Sequence, residues 1–269
     1  SVSSVCTPSR AGMLTGRLPQ RFGLNGVLFP DSHTGMPSSE YTIAELLKDN
    51  GYNTGIIGKW HLGHKYEYLP LQQGFDSFFG IPYSNDMAST VYFRGNEVVD
   101  HFPDQSLMTK KLTEESIKFI ESNSENKFYL YLAHPMPHVP IYASEDFIGS
   151  SERGLYGDVV QELDWSVGKI IEKLREKNLL DNTMIIFSSD NGPWLTMKEM
   201  GGSPGNLRNG KMYTFEGGMR VPTLAMLSGV IPPGTISNEI TSQLDWFPTL
   251  ASLTNSKICL LYTSDAADE

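Results

Sequence analysis

Apolar positions recur along the chain with two different periods, and the two alternate. From Tyr41 to Asn50, Ile43, Leu46 and Leu47 fall at helical spacing, with Gly51 as the stop. Asn53 to Ile57 then reads as a short strand. Thr109 to Ser122 repeats the helical pattern, with Leu112, Ile117 and Ile120 inward, and the strongly apolar run Phe128 to Ala133 follows as a strand. The clearest helix spans Leu155 to Leu174, where Leu155, Val159, Leu163, Val167, Ile170 and Leu174 make one stripe. Thr183 to Phe187 and Val221 to Leu227 read as further strands, and Asp245 to Leu253 as a short helix. Val91 to Pro103 fits a hairpin around Gly95-Asn96. Leu18 to Ser38, Gly74 to Asp86 and Gly201 to Gly218 are rich in glycine, proline or polar residues and read as loops. Helix followed by strand, repeated along the chain, is an α/β organisation.

Composition narrows this picture. The chain has 269 residues, 39% of them hydrophobic, enough for a substantial core in one large domain or two modest ones. A net charge of −10 argues against a nucleic-acid surface, so no nucleic-acid partner is expected. It also means that an anionic substrate must be drawn in by a local cationic pocket. The two cysteines, Cys6 and Cys259, make no disulfide framework. No stretch is long and apolar enough for a membrane span. The chain opens at Ser1 without an initiator Met and reads as a fragment.

The candidate chemistry begins at Cys6-Thr7-Pro8-Ser9-Arg10, followed by Leu14-Thr15-Gly16-Arg17. Pro8 suits the first turn of a helix, where its missing N–H costs nothing. Cys6 then sits at that helix's N-terminus, where unpaired N–H groups favour negative charge. Arg10, four residues on, shares its face. A thiol there would be acidic and reactive. The plain alternative is a buried cysteine before a proline-initiated helix.

Other candidates are weaker in isolation. In Gly58-Lys59-Trp60-His61-Leu62-Gly63, an extended backbone points Lys59 and His61 the same way and Trp60 the other. By themselves they read as a surface lysine beside a half-buried histidine. Ser84, closing Gly80-Ile81-Pro82-Tyr83-Ser84, reads equally as a turn residue. The prolines of His134-Pro135-Met136-Pro137-His138-Val139-Pro140 exclude helix and fix an ordered loop after a strand. Asp190 and Asn191, in Asp190-Asn191-Gly192, are hard oxygen donors suited to Ca²⁺ or Mg²⁺, at a strand's carboxyl end where open α/β sheets bind ligands; alone they read as a turn. Lys211 lies within the glycine-rich stretch Gly201 to Gly218, which matches a P-loop only in part.

Together these blocks resemble the type I sulfatases, in the arylsulfatase A-like branch, in the family's order from about Ser1 to Asn255. The resemblance implies an alkaline-phosphatase-like α/β sandwich with a mixed, largely parallel central sheet between helices. It implies hydrolysis of a sulfate monoester, with Cys6 oxidised to formylglycine by a formylglycine-generating enzyme and hydrated to a gem-diol nucleophile. Cys6, Arg10, Lys59, His61, His138 and Lys211 match the catalytic set. Ser84, Lys59, His138 and Lys211 match substrate contacts. Residue 6, Asp190 and Asn191 match ligands of a Ca²⁺ ion, with Mg²⁺ as the alternative. His138 has the better claim of the two loop histidines, over His134. Glu216 and Arg220 read as internal scaffolding.

The substrate class implied is a sulfated small molecule, lipid or saccharide, and the family is mostly exported. The family also places an aspartate pair for the metal, and a central strand, upstream of the cysteine. Residues 1–256 are therefore expected to be a partial catalytic domain, inactive alone, and 257–269 an artefactual tail in which Cys259 has no role. Two rivals stay open. One is a phosphatase or phosphodiesterase of the same superfamily, which would use Thr or Ser and histidine-rich zinc ligation. The other is a catalytically dead binding protein in which Cys6 is never oxidised.

Overall fold

A computed structural model describes residues 1–87 and 90–256. The expected tail, with Cys259, lies outside the described residues. Helix α1 (Cys6–Thr15) opens the chain and ends at Gly16, whose left-handed backbone (φ 65°) lets its N–H close onto Gly12 O. Helix α2 (Ile43–Asp49) starts two residues later than the apolar pattern suggests. The delay has a local cause: Thr42 and Glu45 form a reciprocal capping box. Strand β1 (Asn53–Lys59) follows, then β2 (Ser77–Ile81) and the hairpin β3 (Tyr92–Arg94) and β4 (Glu97–Asp100), turning at Gly95-Asn96 as expected. Helix α3 (Met108–Ser122), β5 (Phe128–Ala133) and the long helix α4 (Gly154–Glu176) complete this half. β6 (Ile185–Ser188), the short α5 (Glu216–Met219), β7 (Thr223–Met226) and α6 (Trp246–Leu253) follow.

The five-stranded sheet has the order β4-β3-β2-β1-β5. β1 runs parallel to β2 and to β5, with Gly58 opposite both Gly80 and Ala133, while the β3–β4 hairpin adds antiparallel at one edge. Successive residues of the parallel strands face opposite sides. Ile56 and Phe78 join Ala11, Leu14 and Ala44 in a core under α1 and α2. Ile57 and Phe79 join Met108 and Leu112 in a core under α3 on the other face. Both faces are covered, and Phe128–Ala133 reads as one apolar run. β2 corrects the loop expected over Gly74 to Asp86: the five residues Ser77–Ile81 form a strand between Gly74 and Pro82, and Gly80 is there because a Cβ would stand 1.8 Å from Gly58 O. β6 and β7 pair with each other as a separate antiparallel ribbon, and Phe187 and Leu224 on it are exposed.

The stripe expected on α4 is only partly right. Leu155 is exposed and Leu163, Val167 and Ile170 are half-buried, whereas Asp158, Glu162 and Ser166 are buried beside Val159 and Leu174. These polar side chains have specific partners. Asp158 accepts from the N–H groups of Gly149 and Ser151, Glu162 from that of Ser144, and Ser166 bonds Thr113 on α3 at 2.6 Å. Buried polar groups with partners are tolerated in a way that composition cannot show.

Candidate active site

The Cys6–Arg10 segment assembles the site through its own side chains. Thr7 donates to His61 O at 2.9 Å and accepts from Leu28 N–H at 3.1 Å, tying the His61 turn to α1. Ser9 donates to Asp190 O, with Gln243 Oε1 also 3.2 Å from its hydroxyl. Arg10 donates from Nε to Asp190 Oδ2 at 2.9 Å and from Nη1 to Lys59 O at 2.8 Å. One turn of helix thus grips the end of β1 and the loop after β6. Arg17 closes the same motif with a doubly bonded ion pair to the buried Glu40.

Cys6 occupies the first position of α1, and Val5 before it offers no side-chain cap to the helix N–H groups. The thiol is 2% exposed. Lys59 Nζ lies 3.5 Å from its sulfur and 3.1 Å from Ser84 Oγ. Burial alone would push the thiol up. The ammonium of Lys59, with His138, His61 and Lys211 behind it, overcomes burial and holds the thiol well below its ordinary range. Lys59 itself is pushed down by burial, with Cys6 opposing that shift.

Lys59 and His61 do reach one place, although not by simple strand alternation. β1 ends at Lys59, and His61 takes a left-handed backbone (φ 62°), a conformation rare outside glycine. Its N–H bonds Pro82 O and its carbonyl accepts from Thr7, so both sides hold the turn. His61 Nε2 lies 2.9 Å from Leu28 O, which can only accept, so the ring proton sits on Nε2. Nδ1 is buried without a conventional partner and faces Cys6. Burial, helped by Lys59, pushes this imidazole down to about 4. It is therefore neutral near pH 7, with its lone pair turned toward residue 6.

His138 reaches the same region from the loop after β5. Its Nδ1 lies 2.7 Å from Val139 O, 3.3 Å from Ser84 Oγ and 3.8 Å from Asp86 Oδ1. Lys211, 7% exposed, is anchored by its N–H on Pro193 O at 2.8 Å, and its Nζ sits 4.6 Å from the centre of the Trp194 ring. The same indole lies against His138 at 5.6 Å. The glycines around Lys211 permit this approach: a Cβ on Gly192 would stand 1.9 Å from Gly217 O, and one on Gly217 1.9 Å from Asn209 O.

Asp190 and Asn191 lie directly after β6. Asn191 donates to Gly192 O, while its Oδ1 is buried with no partner. An orphaned buried oxygen beside a carboxylate fits a hard cation, and the donors match Ca²⁺ or Mg²⁺ in kind. They form part of a shell only: among the described residues no three His, Cys, Asp or Glu side chains cluster as a metal site.

The structure therefore brings Cys6, Arg10, Lys59, His61, Ser84, His138, Asp190, Asn191 and Lys211 around one region. His134 stands apart, its Nε2 on Ser166 Oγ at 2.9 Å. Glu216 and Arg220 are not internal: they form an exposed pair 3.7 Å apart, because α5 lies on the surface and turns both outward. Sequence reasoning missed Asn85, Asp86, Trp194 and Gln243. The first two directly follow Ser84, and Trp194 follows Asp190-Asn191-Gly192-Pro193, so adjacency to a site residue was the available signal.

Comparison with known proteins agrees. The family model described as Sulfatase matches residues 1–256. N-acetylgalactosamine-6-sulfatase of Homo sapiens is 41% identical over 94% of this chain and 53% of its own length. Arylsulfatase A of Homo sapiens is 40% identical over 95% of this chain and 56% of its own length. The chain thus spans about half the length of the curated relatives it matches. Among solved structures, the PsFucS1 sulfatase from Pseudoalteromonas sp. superposes with a TM-score of 0.86 at 31% identity, over 94% of this chain and 58% of that one. The sheet between helices is that of the alkaline-phosphatase-like hydrolases. By sequence, by fold and by the residues that meet at Cys6, the chain belongs to the sulfatase family.

Proposed function

We propose that the protein to which this chain belongs hydrolyses sulfate monoesters, with residue 6 in its formylglycine form. The observation that carries this reading is the convergence on Cys6 of two lysines, a neutral histidine and a second histidine held by Ser84. Hydrated formylglycine would offer two geminal hydroxyls, one to attack sulfur and one whose deprotonation releases sulfate.

The chain's own residues account for the rest. Lys59, Lys211 and Ser84 hold the sulfate oxygens, as fixed donors around developing charge. Arg10 braces Asp190 and the end of β1 rather than reaching outward. His61, neutral and with Nδ1 facing residue 6, takes a proton from it. His138 gives one to the departing alcohol. Its Nδ1 is engaged by Val139 O, so that task falls to Nε2.

Asp190, Asn191 and an oxygen on residue 6 would hold a divalent ion, Ca²⁺ or Mg²⁺, which would neutralise charge on sulfate. Such an ion takes roughly six to eight oxygens when it is Ca²⁺. The aspartate pair implied by the resemblance would add to the two side chains present here. The substrate class is a sulfated small molecule, lipid or saccharide, and the maturation partner an enzyme that oxidises Cys6. Export from the cytoplasm fits the family. Among the described residues, no helix is long and apolar enough to cross a membrane.

Two measurements test the reading. The tryptic peptide carrying residue 6 should show the mass loss for CH₂SH becoming CHO. The protein carrying the aldehyde should release inorganic sulfate from an aryl sulfate, and much less phosphate from the matching phosphate ester. A phosphate preference would favour the phosphatase alternative, and an unmodified cysteine without turnover the binding protein.

A further inference from the structure

The loop that carries His138 is held by one side chain far away in sequence. Asn85, 2% exposed, donates from Nδ2 to Pro140 O at 2.9 Å and to His138 O at 3.3 Å, and also faces Gln105 Oε1 at 3.1 Å. Gln105 answers from Nε2 to Asn85 O at 3.0 Å, and Thr90 donates to the same carbonyl at 3.2 Å. The acceptors around Nδ2 are carbonyl oxygens, so the amide orientation is fixed by chemistry. Asn85 Oδ1 is buried without a partner, so this side chain is kept in place for its donor end. The flanking residues hold the same histidine, Ser84 and Asp86 from the side of its ring and Asn85 from its main chain.

We infer that Asn85 is a positioning residue for the acid: its amide pins the His138 main chain so that the imidazole meets the leaving oxygen. The inference rests on the sulfatase reading and on His138 as proton donor. Asn85 is buried and its donors are spent on main-chain carbonyls, so removing it leaves the sulfate donors Lys59, Lys211 and Ser84 in place. What it removes is aim. General acid catalysis is worth about 10²–10⁴-fold, and only a leaving group that needs a proton draws on it.

The experiment compares two esters on aldehyde-bearing protein: phenyl sulfate, whose phenol leaves poorly, and 4-nitrophenyl sulfate, whose phenol leaves unaided. Asn85→Ala should lower kcat on phenyl sulfate about 10- to 100-fold, yet lower kcat on 4-nitrophenyl sulfate less than about threefold, with inhibition by inorganic sulfate unchanged. The near-isosteric Asn85→Asp, which lacks the donor, should behave alike if the alanine variant folds poorly. Equal losses on both esters, or none, overturn the inference. A second readout does not need turnover. The long-range ¹H–¹⁵N imidazole spectrum should move at His138 in Asn85→Asp and stay fixed at His134; an unmoved His138 signal overturns the inference by itself. The turnover arm uses the whole protein to which this chain belongs; if that protein, unchanged and aldehyde-bearing, releases sulfate from neither ester nor from a sulfated saccharide or lipid, the sulfatase reading fails, and the imidazole spectrum still decides the placement of His138.

Discussion

Lys59 is the cation closest to the reacting residue, 1% exposed and within reach of both Cys6 Sγ and Ser84 Oγ. Its charge offsets the burial of the thiol, so Lys59→Gln should raise the Cys6 pKa in unoxidised protein, read by the ultraviolet absorbance of the thiolate against pH. In the aldehyde form the same substitution should lower kcat/KM for an aryl sulfate on the order of 10²–10³-fold, the scale of one lost preorganised donor. Residues of this kind were legible because the chemistry needs several of them in one short string, as in Cys6 to Arg10 and Gly58 to Gly63. Asn85 and Trp194 were not. Their meaning comes from partners distant in sequence, His138 and Pro140 for the one and Lys211 for the other, and no local pattern encodes those meetings.

At the scale of elements, β1 shows how a strand is shaped to deliver side chains. Gly58 has φ 118°, and a Cβ there would stand 2.0 Å from Ala133 O, on the parallel neighbour β5. A Cβ on Gly80, across on β2, would stand 1.8 Å from Gly58 O. Both β1 and β2 therefore need glycine just where Lys59 leaves the sheet. Gly58→Ala should cost on the order of 3 kcal/mol or more, combining backbone strain with overpacking, measured as a lower urea midpoint at unchanged slope. On α4, Asp158→Ala should cost roughly 2 kcal/mol, because two N–H groups of the 149–151 loop lose the buried carboxylate that accepts from them. Strand β5 was legible because its apolar run is unbroken, and β1 because it follows the helix stop at Gly51; β2 was not, because Ser77–Ile81 is short, carries Gly80 and lies between Gly74 and Pro82. The buried face of α4 was misread at Leu155 because periodicity ranks residues by polarity. Asp158 and Glu162 enter the interior by capping a loop that the periodicity does not see.

For the whole molecule, the separation of its histidines into two environments sets how stability responds to acid. His134 is packed between β5 and α4, with Nε2 on Ser166 and Nδ1 sealed from solvent without a partner. Burial pushes it down to about 4, so the folded chain resists protonating it. The unfolded chain binds that proton near the ordinary value of about 6.5. Stability from this group is therefore complete above that value and is lost as pH falls through the folded pKa. Between about pH 7.5 and pH 4.5 the loss from His134 alone should be roughly 2 kcal/mol. His61, pushed down to about 4 as well, acts in the same direction, but its proton is coupled to the state of residue 6. His134→Gln isolates the first contribution, since the glutamine does not titrate. Urea unfolding of both proteins at the two pH values should show a smaller acid loss in the variant, by roughly 2 kcal/mol, with His61 and the carboxylates common to both. Equal acid losses would mean that the pocket between β5 and α4 opens to water before the fold is lost.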